Sequence, residues 1–517
     1  MKIWFLRIIG VIAALILILA VTIYIRIKDK HPGYMVDIQK TQPDNTNSFK
    51  AGFAALTITP EVVDTWNDIN NDAEYNEEDG DTYNDNNNNG KFDAYWIAGF
   101  SSNRPANGVH DDVWTRVAVF DDGHSRIALV SIDAIGFGND DVIDIRKMVP
   151  EDTGIDYILI ASTHTHESYD LLGIWGNPPF ESGINDELMS YVKTTTVKAI
   201  LKANNNLRPA KLAYAQNLHD ADVLVKDTRK PIVKDSGIRL IQAIDAENDS
   251  TLGVIVGWAN HPETVWSRNL LISSDFPHYI REGIEKGLFQ GDSLMQKGLG
   301  GTAIFFNGAV GGLMCTHPSL GVKDLYTDTV YNEPTFDKVR AVGYKVAELS
   351  LNALAIPDTT IEFPTIALNA KTLHLPLDNT EFIAADILGL LKRGVTGWIT
   401  TRSEVAAFTI GPASFVSIPG EMYPEILNGG VEAKEGRDFI IDPIENPSIR
   451  DLMPGEYKFA FCLSNDEIGY IVPKSEWDVE APYVYKNKKQ YGEGNSLGTE
   501  TAPIIYKEIT GLLENLK

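Results

Sequence analysis

Tyr157-Ile158-Leu159-Ile160-Ala161-Ser162-Thr163-His164-Thr165-His166 begins as an uncharged, β-branched run and ends on a pair of histidines. Such a run reads as a buried strand, and the polar residues after it as the loop at its C-terminal end. The same pattern recurs along the chain. Gly253–Trp258 runs into Ala259-Asn260-His261-Pro262-Glu263, and Phe415–Ile418 into Pro419-Gly420-Glu421. Phe459–Leu463 leads through Ser464-Asn465-Asp466 to Gly469-Tyr470. Further strands are expected at Arg126–Asp133, Ile238–Ala243 and Thr302–Phe306. Helices are expected at Asp186–Asn204, His278–Phe289 and Thr335–Leu354, the last with Val339, Val342, Val346 and Leu349 near helical spacing. Ile238–Ala243 and Gly253–Trp258, joined across Asp245–Ser250, read as an antiparallel hairpin. Together these imply a single large α/β (or α+β) catalytic domain around a mixed β-sheet, preceded by an N-terminal transmembrane helix.

Ligands of α/β sheets bind beyond the strand C-termini, so polar clusters repeated there point to one shared site. Neutral imidazoles and a carboxylate are the donor set of hydrolytic zinc, which polarises a carbonyl and brings the pKa of bound water to about 7. His164 and His166 share a face if the strand persists. Each cluster alone also reads as ordinary loop polarity. No G-x-S-x-G elbow, H-E-x-x-H helix or phosphate loop offers a competing chemistry.

Outside this core, Ile8 to Ile25 carry no charge and are long enough to cross most of a bilayer core. Lys2 and Arg7 precede the run, Arg26, Lys28 and Lys30 follow it, and no small-x-small cleavage site closes it. The reading is an uncleaved signal anchor within residues 1–30, with the body outside the cytoplasm. A cleaved secretory signal is the alternative and places the body on the same side. Residues 31–50 are polar, contain Pro32 and Pro43, and read as a tether to a folded body at 51–517.

An acidic insertion at 66–95 contains a repeat. Trp66-Asn67-Asp68-Ile69-Asn70-Asn71-Asp72 aligns with Tyr83-Asn84-Asp85-Asn86-Asn87-Asn88-Asn89. Short oxygen-bearing side chains at alternate positions begin a calcium loop, and the candidates are Asp68, Asn70, Asp72, Asp85, Asn87, Asn89 and Asp93. The bidentate glutamate of an EF-hand is missing, Trp96 standing in its place in the second copy, and a solvated acidic loop is the other reading. The net charge of −26 over 517 residues excludes a phosphate backbone as partner, so no nucleic acid is expected. Cys315 and Cys462 make no metal pattern.

Taken in order, several segments resemble the catalytic domain of neutral (non-lysosomal) ceramidases. They are AGFAALTITP (51–60), GVHDDVWTRVAVFDDG (108–123), ALVSIDAIGF (128–137), ILIASTHTHES (158–168), GVIVGWANHPETVW (253–266), LISSDFPHY (271–279), FVSIPGEMYPE (415–425) and LSNDEIGYIVP (463–473). The resemblance implies zinc held by His164, His261, Glu421 and Tyr470, with His166 beside the metal and in contact with substrate. Tyr491, in QYGEGNSLG, would be the second active-site tyrosine. The implied reaction is hydrolysis of the amide of ceramide or a related N-acyl lipid. The chain departs from the pattern at Asn307-Gly308-Ala309-Val310-Gly311-Gly312, which lacks the family's Asp and Ser, and at Glu167-Ser168-Tyr169-Asp170 beside the pocket. The C-terminal sandwich domain of longer members has no counterpart, and the acidic repeat is an insertion. Two other readings stay open: the same fold acting on another envelope amide or ester, and a non-enzymatic calcium-binding surface protein.

Overall fold

Apolar runs buried on both faces pair into two facing sheets. The computed structural model describes residues 2–43, 46–177 and 181–516. The strands used here are β1 (Asp37–Lys40), β2 (Lys50–Thr57), β3 (Trp114–Asp121), β4 (Arg126–Ile132), β5 (Tyr157–Ser162), β6 (Arg208–Asn217) and β7 (Ile238–Asp245). After them come β8 (Thr251–Trp258), β9 (Thr302–Asn307), β10 (Thr359–Ile361), β11 (Ile366–Pro376), β12 (Thr400–Ile410), β13 (Ala413–Ser417) and β14 (Tyr457–Phe461). The larger sheet runs β9-β8-β7-β6-β2-β3-β4-β5, with β10 also on β6; the smaller runs β1-β11-β12-β13-β14. Pairs β4–β5, β8–β9 and β13–β14 are parallel and the other pairs antiparallel, so both sheets are mixed.

Between the sheets, Phe120, Leu129, Leu159 and Phe306 meet Phe408, Phe415 and Phe461. Phe306 stacks on Phe461 with ring centroids 4.1 Å apart. The helices are α1 (Lys2–Ile27), α2 (Asn139–Met148), α3 (Asp186–Asn205), α4 (Phe276–Glu285), α5 (Phe336–Ala355), α6 (Thr380–Leu388) and α7 (Thr501–Glu514). Helix α3, with α2 against it, covers the outer face at β2 and β3. The paired helices α4 and α5 cover it at β9, β6 and β7, and α7 covers β11 and β12. The layering is therefore α/β/β/α. Its effect is to gather the C-terminal ends of β5, β8, β13 and β14 at one place.

The hairpin β7–β8 and strand β5 lie where the sequence places them. The helix expected over His278–Phe289 starts at Phe276 and stops at Glu285. Gly287 then takes φ 115, and residues 287–290 pair with Ser293–Lys297 as a hairpin. A Cβ at Gly287 would stand 2.5 Å from the Gln296 carbonyl oxygen, so only glycine permits that turn.

Within Trp4–Ile27, helix α1 holds an 18-residue stretch of mean hydropathy 3.0, long and apolar enough to cross a membrane. The tether expected at 31–50 is corrected. Part of it is β1, paired with β11 from Asp37 opposite Lys371 to Lys40 opposite Leu368. Val36 is buried and its N–H donates to Thr372 Oγ1 at 2.7 Å, while Asp29 pairs with Arg402 at 3.0 Å. An edge strand has one open side and needs no apolar periodicity, which is why the segment reads as a coil. The folded body thus begins before Ala51.

Candidate metal centre

Beyond Ser162 the chain turns instead of staying extended. His164 takes φ 69, a left-handed conformation that costs a non-glycine residue about 1–2 kcal/mol. The turn is held by Thr163 N–H donating to Ile132 O and His164 N–H to Ala134 O, each at 2.9 Å. His164 and His166 therefore meet across a turn, not on one face of a continuing strand. His164 Nδ1 lies 2.6 Å from Ile135 O, and His261 Nδ1, just past β8, lies 2.8 Å from Met314 O. Each Nδ1 donates to its carbonyl, which turns Nε2 toward the site as the atom that would bind a cation after giving up any proton it carries.

Both Nε2 atoms face Glu421, at 3.5 Å from His164 and 3.0 Å from His261. Glu421 sits on a two-residue strand directly opposite Tyr470, and its N–H donates to Gly469 O at 3.0 Å. His166 stands beside them, ring centroid 4.9 Å from that of His164 and Nδ1 3.3 Å from Glu263 Oε2. One ring nitrogen from each of His164, His166 and His261 falls within 4.8 Å of the others. Tyr470 is buried against Glu421, and the ring of Tyr491, 60% exposed, meets it edge-on at 5.7 Å.

Burial alone would raise the Glu421 carboxyl, but the imidazoles of His164 and His261 hold it at about 2. His261 moves the other way: burial opposes its charge, yet its hydrogen bond to Glu421 lifts it to about 9. Burial and the neighbouring imidazoles push His166 well below the usual range. Burial and the Glu421 carboxylate push the Tyr470 hydroxyl up. The Nε2 atoms of His164 and His166 are buried and have no hydrogen-bond partner among the described residues. Such an orphaned group costs about 1–3 kcal/mol. A divalent cation removes that cost, and the donor set of imidazoles and a carboxylate fits zinc.

The centre opens on two cavities. One, of about 1150 Å³, joins His164, Glu421 and Tyr470 to Leu171, Leu172, Trp175, Phe382 and Leu497. The other, of about 1310 Å³, joins His166 and His261 to Glu263, Arg268, His317, Asp72 and Glu74. Tyr470, Tyr491 and His166 border both. The departure at Glu167–Asp170 proves structural. Glu167 accepts from Asn269 Nδ2 at 2.8 Å, and Asp170 accepts the N–H groups of Leu172, Gly173 and Trp175, which shapes the apolar wall.

Three residues that sequence reading passes over hold the site together. Asn307 Nδ2 donates to Thr163 O and Asn260 O, each at 3.0 Å, and its Oδ1 accepts from Asn260 N–H at 3.1 Å. Asp275 Oδ2 accepts from Thr264 N–H at 2.9 Å, tying the His261 loop to α4. Glu467 lines the apolar cavity, raised well above the usual carboxyl range by burial and by Glu421. Asn307 opens the segment that departs from the family motif, the one sequence signal that marks it.

The acidic insertion is a two-fold unit. Trp66 pairs with Tyr83 across short antiparallel strands, and Asn71 and Asn88 both take φ 58. Asp81 accepts from Ile69 and Asn76 N–H in the first loop, and Asp64 accepts from Asn86 and Asp93 N–H in the second. Of the expected calcium ligands, Asp68, Asn70, Asp85, Asn87 and Asn89 already accept backbone N–H groups of their own loops. Asp72 accepts from Glu74 N–H, and Asp93 from the amides of Asn87 and Asn89.

No protein-family model and no curated protein sequence matches this chain. Among solved structures, the neutral ceramidase from Pseudomonas aeruginosa superposes with a TM-score of 0.60 at 14% identity, covering 91% of this chain and 74% of that one. A ceramidase complexed with C2 gives 0.61 at 14% identity, covering 91% and 75%. Identity this low speaks for architecture and not for chemistry, and over 91% of its length this chain has the fold of the neutral ceramidase structures.

Proposed function

We propose that the protein is a zinc-dependent amidohydrolase that cleaves the amide of ceramide or a related N-acyl lipid. The observation that carries the reading is a convergence: unpartnered imidazole nitrogens and a carboxylate meet at the end of an apolar cavity. His164, His261, Glu421 and Tyr470 would hold the zinc. Zinc bound there would polarise the amide carbonyl and make a water nucleophilic near neutral pH.

The remaining work falls to the chain. The Ile135 and Met314 carbonyls fix the ring orientation of the two histidine ligands. His166, held neutral by burial, donates to or accepts from the reacting group beside the metal. The Tyr491 hydroxyl, at the junction of the cavities, donates to the oxyanion as it develops. Leu171, Leu172, Trp175 and Phe382 take the acyl chain and exclude water. The amide C–N bond breaks, hydroxide joins the acyl carbon, and the nitrogen leaves as an amine with the added proton.

The anchor and the orientation belong to the same proposal: α1 spans a membrane with Lys2 and Arg7 inside and the body outside the cytoplasm. Calcium at Asp68, Asn70, Asp72, Asp85, Asn87, Asn89 and Asp93 is proposed as a structural partner of the insertion. A second reading, another envelope amide or ester, draws on the charged lining of the second cavity, which includes Arg268, Asp72 and Glu74.

Incubating the detergent-solubilised chain with a panel of N-acyl lipids, N-acyl amino compounds and matched esters tests the choice. Fatty acid and free amine from the lipid amides supports it. Turnover confined to soluble amides or esters moves the assignment to the second reading, and no turnover of any substrate by zinc-loaded protein supports a non-enzymatic role.

A further inference from the structure

The apolar cavity reaches the place where α1 joins the body. Arg26 Nη1 donates to Ile387 O at 3.1 Å, Val395 N–H donates to Ile27 O at 2.8 Å, and Lys30 donates to Lys392 O. The spanning helix therefore ends against α6 and the residues that follow it. Those same elements line the cavity through Phe382, Asp386, Leu391 and Arg393. The hydrophobic helix and the cavity wall are one continuous piece of structure.

The outer surface of that wall leaves apolar side chains uncovered. Helix α6 packs Phe382 and Ile383 in part against the core, buries Asp386 and ends on the exposed Leu388. Ten residues on, Trp398 is 89% exposed and Ile399 next to it is exposed as well. Contiguous exposed apolar side chains mark an interaction surface. Its neighbours say what kind. Arg26, Lys28 and Lys30 follow the spanning run, and Lys392, paired with Asp186, stands beside Lys30, while Arg393 turns inward onto Asp466. Tryptophan with cations at the level where a helix leaves the bilayer is the composition of a membrane interface, indole among headgroups and cations on phosphates.

We infer that α6 and residues 388–399 form a lip that lies in the phospholipid leaflet from which α1 emerges, so that the apolar cavity opens onto lipid. The lip sets the route of entry: an acyl chain passes from leaflet to cavity without crossing water. That route rests on the N-acyl lipid reading of the site, whereas the position of the lip does not. The occupant is the bilayer because the exit of α1 places the headgroup layer within a few residues of Trp398.

The test is a depth measurement on the full chain in phosphatidylcholine vesicles. Cys315 and Cys462 are buried, so an environment-sensitive fluorophore attaches at an introduced thiol. Trp398→Cys and Ile399→Cys place it on the lip. Leu294→Cys places it on the 287–297 hairpin, which packs on α4 and α5. Lipid carrying a shallow acyl-chain quencher should quench the lip labels severalfold more than the hairpin label, and their emission should shift to the blue. Aqueous emission and equally weak quenching at all three sites would overturn the lip, as would a lip shielded by a protein partner. Hydrolysis is not part of the readout. An inactive protein with quenched lip labels leaves the lip standing and removes the amidase reading; an active one with unquenched labels does the reverse.

Discussion

Asn307 touches no expected ligand, yet it bridges the two loops that carry His164 and His261. Its amide gives two N–H bonds and takes two, from Asn260 and Gly308 N–H, an arrangement aspartate cannot copy. Asn307→Asp should lower stability by about 2–3 kcal/mol and weaken zinc binding roughly 10–100-fold, with every ligand still present. Denaturant unfolding and a competitive zinc titration measure both, and wild-type values in the two would remove Asn307 from the site's support. The residues that meet at the candidate centre were legible because each follows a strong apolar strand and together they keep a family order. Asn307, Asp275 and Glu467 were not, since a loop Asn, Asp or Glu acquires its role only from partners far away in sequence. The i, i+2 argument for His164 and His166 found the right pair through the wrong geometry, because spacing cannot reveal a left-handed turn.

Among elements, β5 and β8 were readable because burial on both faces leaves a nearly unbroken apolar run, and β7, despite Arg239 and Gln242, because a short polar turn joins it to β8. Strands β11 and β12 mix Asn369, Lys371, Arg402 and Glu404 into their pattern and were passed over. The buried side chains of β12 meet partners: Arg402 binds Asp29 and Asp140, and Glu404 binds Arg146. Helix α6 carries a pH dependence. Burial outweighs Arg393 and Lys30 and raises the Asp386 carboxyl to about 7. A raised acid binds its proton more tightly folded than unfolded, so stability falls as pH rises from about 4 toward 7 and then levels. Asp386→Asn should make the slope shallower by up to about 1.4 kcal/mol per pH unit, a change resolved by unfolding at pH 5, 6 and 7. An unchanged slope would assign it to another group. For the acidic insertion, removing calcium should speed proteolysis between residues 66 and 95 and leave bound zinc in place. The aromatic stack of Trp66, Tyr75, Phe92 and Tyr83 and the carboxylates of Asp64 and Asp81 also hold the loops. Identical digestion with and without calcium would mean these suffice.

For the whole molecule, the apolar helix α1 and the body form one piece rather than two joined by a rope. Deleting residues 2–25 should preserve turnover of detergent-dispersed lipid amide and reduce it on vesicles, because tethering raises the effective substrate concentration without new contacts. Deleting 2–50 removes β1 and the buried Val36 and Phe49 as well, and should lower the melting temperature by several degrees. Equal melting of the two deletions would contradict a structural β1. Metal content measured beside activity decides whether a zinc centre in this protein hydrolyses an amide. Wild-type protein should carry one zinc per chain by elemental analysis and release fatty acid from an N-acyl lipid, losing both to a chelator and regaining both with zinc. His164→Ala and His261→Ala should lose metal and activity together, while His166→Ala should keep the metal and lose most of its rate. Full zinc content and full fatty-acid release in His164→Ala and His261→Ala would contradict the account.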